Sequence, residues 1–388
     1  MLDIDGVGMG VNWMMFLERT LEAERAKAAS QAAQQSSDPV KQRVDTPPPA
    51  VTVQVTPDTD PSNPTNAEIA SATSLIRSLA EQYRPKPPDI TVDDPLTKAA
   101  QTAIQGAQTK YDNALKDEAQ KQTALTNAQN DPSSTKDAIA RAQTDYDHAH
   151  AATANAEKEL NVTTDAGYMI AYAQQADHDK QALDPHRAGS AQSDANAALA
   201  QLKAAVPGLG DDPTQASQAH WTPQQKQAYD AWQRADAKLS AAKARHNADI
   251  ANSNLAYAQL QSYASDGELA DAMNAGIARV NDALAPLGRV IDVPERLKPD
   301  EARANLASAV DDANYANACV NAASDAADVA DIQITYNAVS GKYGPTVMST
   351  TVGAQQDRLN HAQASARMSA GYLQMLYANR QVKELQGR

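Results

Sequence analysis

The chain has 388 residues, 42% of them hydrophobic, yet it holds one Phe, three Trp and about a fifth alanine. Burying a methyl yields about 0.8 kcal/mol against roughly 1.5–3 kcal/mol for a large side chain, which excludes a wide, layered core and favours helix pairs joined along narrow seams. The formal charge is −14, of which residues 1–94 supply −6 (8 Lys and Arg against 14 Asp and Glu), and this spread of acidity excludes a basic surface for nucleic acid or anionic lipid.

Residues 1–10 are Gly-rich and open Met1-Leu2-Asp3, acidic where a secretory signal would be basic. From Asn12 to Gln35 the spacing predicts an amphipathic helix, so residues 1–35 read as an N-terminal helical arm. Trp13, Met14, Phe16, Leu17 and Leu21 gather the only Phe and one of the Trp beside Glu18, Glu22 and Glu24. Such a stripe fits a groove, either on a protein partner or chaperone or on the chain's own helical body. These five residues are the candidate partner-binding site; its mixed charges do not suit insertion into a membrane surface. Residues 36–94 form a Pro/Ser/Thr-rich linker interrupted by Pro39, Pro47, Pro48, Pro49, Pro57, Pro61 and Pro64, with a short helix near 66–83 and further breaks at Pro85, Pro87 and Pro88. That composition neither packs nor pairs regularly and is expected to be largely disordered, in part polyproline II.

Beyond residue 94 the chain reads as long, well-punctuated helices. Asp94-Pro95 is an N-cap followed by Pro at the first helical position, and Asn130 to Ser134 is a turn. Pro207-Gly208 and Asp212-Pro213 interrupt the middle, and Thr222 with Gln225 makes a capping box. Asp266-Gly267 and Pro286 bound a shorter helix, Lys298-Pro299 opens another, and Gly341 to Pro345 ends it. The body thus divides into a helical-hairpin region at 95–206, a linker at 207–222 and a second hairpin region at 223–388.

Three seams step by alternating threes and fours. The first is Ala100, Ile104, Ala107, Tyr111, Ala114, Glu118, Lys121, Leu125 and Ala128. The second is Ile139, Ala142, Tyr146, Ala149, Thr153, Ala156 and Leu160, and the third runs Leu306, Ala309, Ala313, Ala316, Val320, Ala323, Ala327, Ala330 and Ile334. This period is helical and coiled-coil-like, and alanine lets two helices approach closely. The expected fold is all-α: elongated, alanine-seamed antiparallel hairpins that pair 95–130 with 136–183, 223–265 with 268–287, and 299–340 with 350–386. An internal repeat supports it, since residues 103–114 and 138–149 share the frame A-I-x-x-A-Q-T-x-Y-D-x-A.

The chain offers few residues in arrangements that carry chemistry. No two of the seven histidines stand three or four apart on one helix face, as a helical metal site requires. The nearest clusters are Asp145, Asp147, His148 and His150, and Asp177-His178-Asp179; both read as polar residues on a wet helix face. Cys319 adjoins seam position Val320 with no His or basic residue within a turn, and reads as a packing residue. The recurring tyrosines read as seam and boundary packing. No nucleophile elbow, zinc-binding helix motif or phosphate loop is present, so neither an enzyme nor a cofactor nor a metal is expected.

In overall style the chain resembles substrates of specialised bacterial secretion systems, such as type III effectors or translocators. The resemblance lies in high Ala, Gln and Asp, a Ser/Thr/Pro-rich first hundred residues and a helical remainder, and no single motif carries it. It implies an export or chaperone-binding signal within residues 1–35. Translocators carry a long apolar helical stretch that this chain lacks, so an effector or accessory role fits better. The expected function is a non-enzymatic structural, protein-interaction protein that binds through its arm and can self-associate. It would be exported without a classical signal peptide or, alternatively, act as a cytoplasmic scaffold; an all-α enzyme with an unrecognised Asp/His site is the second alternative.

Overall fold

The computed structural model describes residues 87–210, 212–343 and 350–386, which contain seven α-helices and no strand. Local chemistry sets most of the helix starts. Asp94 caps α1 (Pro95–Asn130): its Oδ1 accepts from the Leu96 and Thr97 amides at 2.7 and 3.1 Å, and Pro95 fills the first helical position. Both devices reduce the number of orphan N–H groups at the helix end. Asp131 turns the chain by accepting from Ser133 N at 2.9 Å, and Thr135 opens α2 (Lys136–Lys180). Ser190 caps α3 (Ala191–Ala205). The capping box of Thr222 and Gln225 forms at the start of α4 (Pro223–Ser265), and Gln225 Nε2 also donates to Ala205 O at 2.9 Å, tying α3 to α4. Then follow α5 (Ala270–Leu284), α6 (Pro299–Tyr343) and α7 (Thr350–Gln386).

α1, α2, α4, α6 and α7 stand in a row, each packed against the next. Two cross-links on each neighbouring pair show that all run antiparallel: Lys110 with Glu159 and Glu118 with His150; Met169 with Ser253 and Ala176 with His246; Asn252 with Asn317 and Arg234 with Asp331; Asp312 with Arg380 and Asp325 with Ser365. Every position of the three predicted seams is buried or half-buried. The two copies of the sequence repeat make the same local bonds. Gln108 donates to Asp112 and Gln143 to Asp147, each at 2.8 Å, while Thr109 and Thr144 bond back to the carbonyls of Gln105 and Ala140. Ile104, Ala107, Tyr111 and Ala114 and their counterparts Ile139, Ala142, Tyr146 and Ala149 are buried or half-buried, while the exposed Gln and Asp staple the outer face, an i,i+4 pair that stabilises a helix by about 0.2–0.5 kcal/mol.

The pairing expected between 223–265 and 268–287 does not form. α5 packs chiefly on α2 and α1, while α4 lies between α2 and α6. The reason is the size of the α5 stripe. Met273, Ile277, Val280 and Leu284 are too bulky for an alanine seam, and they fill a groove lined by Ala100, Ala103, Val162, Ala166, Ile170 and Leu260. Gly276 permits the approach: a Cβ there would stand 2.5 Å from Val162 Cγ1 and 2.8 Å from its Cβ. The chain then returns to α6 through a connector held at two points, Asn281 bonding both the N–H and the C=O of Ile291, and Leu297 N donating to Ser265 Oγ at 3.0 Å. The arm at 1–35, with Trp13, Met14, Phe16, Leu17 and Leu21, the short helix near 66–83 and the linker up to residue 86 lie outside the described residues.

Candidate functional site: a buried carboxyl pair between α2 and α4

Two polar residues occupy core positions of α4. Asp249 and Asn252 precede buried Ala256 and Leu260 at three- and four-residue steps, and both are buried. A desolvated polar group without a hydrogen bond costs roughly 1–3 kcal/mol, so each needs a partner. Asn252 finds Asn317 of α6. Asp249 does not: it is 0% exposed, and neither carboxylate oxygen meets a hydrogen-bond partner.

Asp179 of α2, itself buried, lies within hydrogen-bonding reach of Asp249. Burial first, and then the charge of Asp179, push the Asp249 carboxyl up to about 7, with Arg245 acting in the opposite direction. Near neutral pH a proton on Asp249 supplies what the site otherwise lacks, an O–H donor between two acceptor-only groups.

Asp179 is held from its other side. Gln175 Nε2 donates to Asp179 Oδ1 at 2.8 Å, and His178 Nδ1 donates to the same oxygen at 3.2 Å. This Gln–Asp pair has the spacing of the surface staples in the repeat, but Gln175 is only 1% exposed. Its carbonyl oxygen accepts from Thr91 N at 2.8 Å, Val92 N at 2.9 Å and Thr91 Oγ1 at 3.3 Å. Residues 87–94, which have no regular secondary structure and half-bury Pro88, Ile90 and Val92, are therefore hydrogen-bonded as a strap to the C-terminal part of α2 through Gln175. Nearby, His246 Nδ1 of α4 donates to Ala176 O at 2.9 Å. The Tyr172 hydroxyl is pushed up to about 12, by burial first and then by Tyr168, Asp249 and Asp89. The connected groups run strap, Gln175, Asp179, Asp249. Such an array can hold and release a proton, and Asp249 offers no exposed face to a substrate.

The structure disperses the other sequence-predicted cluster. His150 Nδ1 lies 2.7 Å from Glu118 Oε1 across the hairpin and its ring stacks on Tyr146, whereas Asp147 accepts from Gln143. Among the described residues, no group of three or more His, Cys, Asp and Glu side chains is placed to hold a metal ion. Cys319 is half-buried beside Tyr315 and Arg380, and burial pushes its thiol up to about 11. Tyr229 packs with Trp221 and Trp232 around Leu202 in a small core between α3 and α4. Sequence reading found Asp179 within an Asp/His cluster but missed Asp249, because counting apolar periodicity scores a seam Asp as a break. The readable signal was its register with Asn252, Ala256 and Leu260. No protein-family model matches this chain, and no curated protein or solved structure matches it either.

Proposed function

We propose that this chain is a non-enzymatic structural and protein-interaction protein. Elongated, coiled-coil-like helical hairpins form its body, and the arm at residues 11–21 docks on a protein partner or chaperone. The observation that supports this reading is where the polar chemistry goes: it joins helices. Glu159 links α2 to Lys110 of α1 and Arg279 of α5, Asn252 and Asn317 link α4 to α6, and Asp325 of α6 accepts from Ser365 and Ser369 of α7.

Light scattering with small-angle X-ray scattering on the full chain tests the body. A radius of gyration well above the roughly 21 Å of a compact chain of 388 residues is expected, and a value near 21 Å removes the elongated hairpins. Comparing partners captured by the full chain with those captured after deletion of residues 2–35 tests the arm. Equal capture by both removes it from the proposal. Export by a specialised bacterial secretion system is the second reading, favoured by the Ser/Thr/Pro-rich residues 36–94. Export that persists without residues 2–35 counts against a signal in the arm.

A further inference from the structure

The hydrogen bonds of the strap at residues 87–94 to α2 converge on one carboxamide, that of Gln175. Gln175 can accept from both Thr91 and Val92 only while its Nε2 is directed at Asp179, since the two ends of a planar amide turn together. Asp179 in turn faces Asp249, a fully buried carboxylate with neither oxygen bound to a donor. A carboxyl–carboxylate pair in this position joins α2 to α4. Two carboxylates there repel, with little water to screen them.

We propose that the Asp179–Asp249 pair is a proton-operated latch: a proton shared between the two carboxyls keeps the strap on α2, and loss of that proton releases it. The release has a definite order. Ionised Asp249 drives Asp179 towards its solvent side and away from Gln175 Nε2. Gln175 then loses its orientation, and the Thr91 and Val92 amides lose their acceptor.

The groups around the pair come from each neighbouring element. α2 contributes Tyr172, Gln175 and His178, α4 contributes Arg245 and His246, and the strap contributes Asp89. The turn that follows α2, Gln181–Leu183, carries no titratable side chain, and α6 faces this part of α4 with Asn317, uncharged and bound to Asn252. Exposed His178 bonds the same Asp179 carboxylate and is itself titratable, so the test separates it from the pair. Asp249 titrates from about 7, which places the latch within the physiological range.

Hydrogen exchange on the full chain between pH 5.5 and 8.5, corrected for intrinsic rates, reads the strap directly. Protection of the Thr91 and Val92 amides is expected to fall about tenfold or more as the pH rises through 7, while amides around Ala107 of α1 keep theirs. Asp249→Asn donates to Asp179 at every pH and should abolish the step. Asp179→Asn donates in the reverse direction and should abolish it too, so one poorly folding variant does not decide the outcome. Gln175→Ala should leave the strap unprotected throughout, and His178→Gln should keep the step. Flat protection in the unmodified chain, a step surviving in both Asn variants, or a step lost in His178→Gln overturns the latch. If neither Asn variant folds, carbon-13 carboxyl shifts of the unmodified chain decide: strap amide shifts must follow Asp249, and following His178 instead overturns it.

Discussion

Asn252 of α4 and Asn317 of α6 exchange two hydrogen bonds, each Nδ2 donating to the other's Oδ1, at 2.9 and 3.1 Å. Both are buried, on helices that also bury Ala256 and Ala313. Sliding either helix by one turn would set both amides against methyl groups, so the pair fixes register where alanines alone would tolerate several. Asn252→Ala should cost about 1–3 kcal/mol, because Asn317 is left buried and unbonded. Replacing both should cost less than the sum of the single changes. Urea unfolding of the double-mutant cycle measures this, and strictly additive values would show that the amides do not act together.

Two helical glycines make an unequal pair of expectations. A Cβ on Gly276 meets Val162 Cγ1 at 2.5 Å, Val162 Cβ at 2.8 Å and the Thr163 backbone N at 3.1 Å. A Cβ on Gly167 meets Ile104 Cδ1 at 2.6 Å and Cγ1 at 3.0 Å, both on a side chain that can rotate, and the backbone only at 3.5 Å, at Ala100 O. Gly276→Ala should therefore cost about 1–3 kcal/mol. Gly167→Ala should fall nearer zero, since the gain of up to about 1 kcal/mol in helix propensity offsets a rotamer change. Thermal melts of the two variants give the order, and a Gly276→Ala chain as stable as Gly167→Ala contradicts the close crossing of α5 on α2.

Glu159 is buried and holds cations from two other helices. Burial alone would raise its pKa, yet its hydrogen bonds and charge pairing with Lys110 and Arg279 outweigh that and hold it below the ordinary carboxylate value. Arg279 places Nε and Nη2 on one oxygen at 2.9 and 2.7 Å and is the less exposed cation, whereas the Lys110 side chain is about half exposed. Arg279→Ala should cost about 1–3 kcal/mol, and Lys110→Ala at most about 1 kcal/mol. Denaturant midpoints will rank them; the reverse order would mean that the lysine is the anchor of the site.

Acid should stabilise this protein. The Asp249 carboxyl stands at about 7 and that of Asp165 at about 6 in the folded chain, each raised first by burial from an ordinary 3.8. Burial raises Asp230 and Asp236 as well. The stability these groups contribute is fully present below the unfolded value and is lost as the pH rises through their folded values. Glu159 and Asp94 act oppositely, because their folded pKa values are lowered and their contribution is lost only in stronger acid. The two sets place maximum stability near the ordinary carboxylate values, at roughly pH 4. Tm should be higher at pH 5 than at pH 8 by roughly 5 °C, and Asp249→Asn should flatten that slope by stabilising the chain at pH 8. A Tm that rises towards pH 8 is the opposite result.

Much of the fold was legible in the residues. Asp94-Pro95 and the Thr222–Gln225 box act on amides no more than three residues away, so cap chemistry could be read directly. The three-and-four period of Ala100 to Ala128 places those residues on one stripe of any α-helix, whatever covers it. The repeat was legible for the same reason, since its Gln–Asp and Thr bonds close within a single turn.

Partner choice was not legible in this way. The stripe Met273, Ile277, Val280 and Leu284 announces burial but not against what; only assembly reveals that Gly276 lets it meet Val162. Asp249 shows the same division more sharply. Its place in the seam register is written in the chain, yet its titration near neutrality depends on losing water and meeting Asp179, seventy positions away, on another helix. Helix formation depends on neighbours in sequence, and desolvation and charge pairing on neighbours in space, which packing alone brings together.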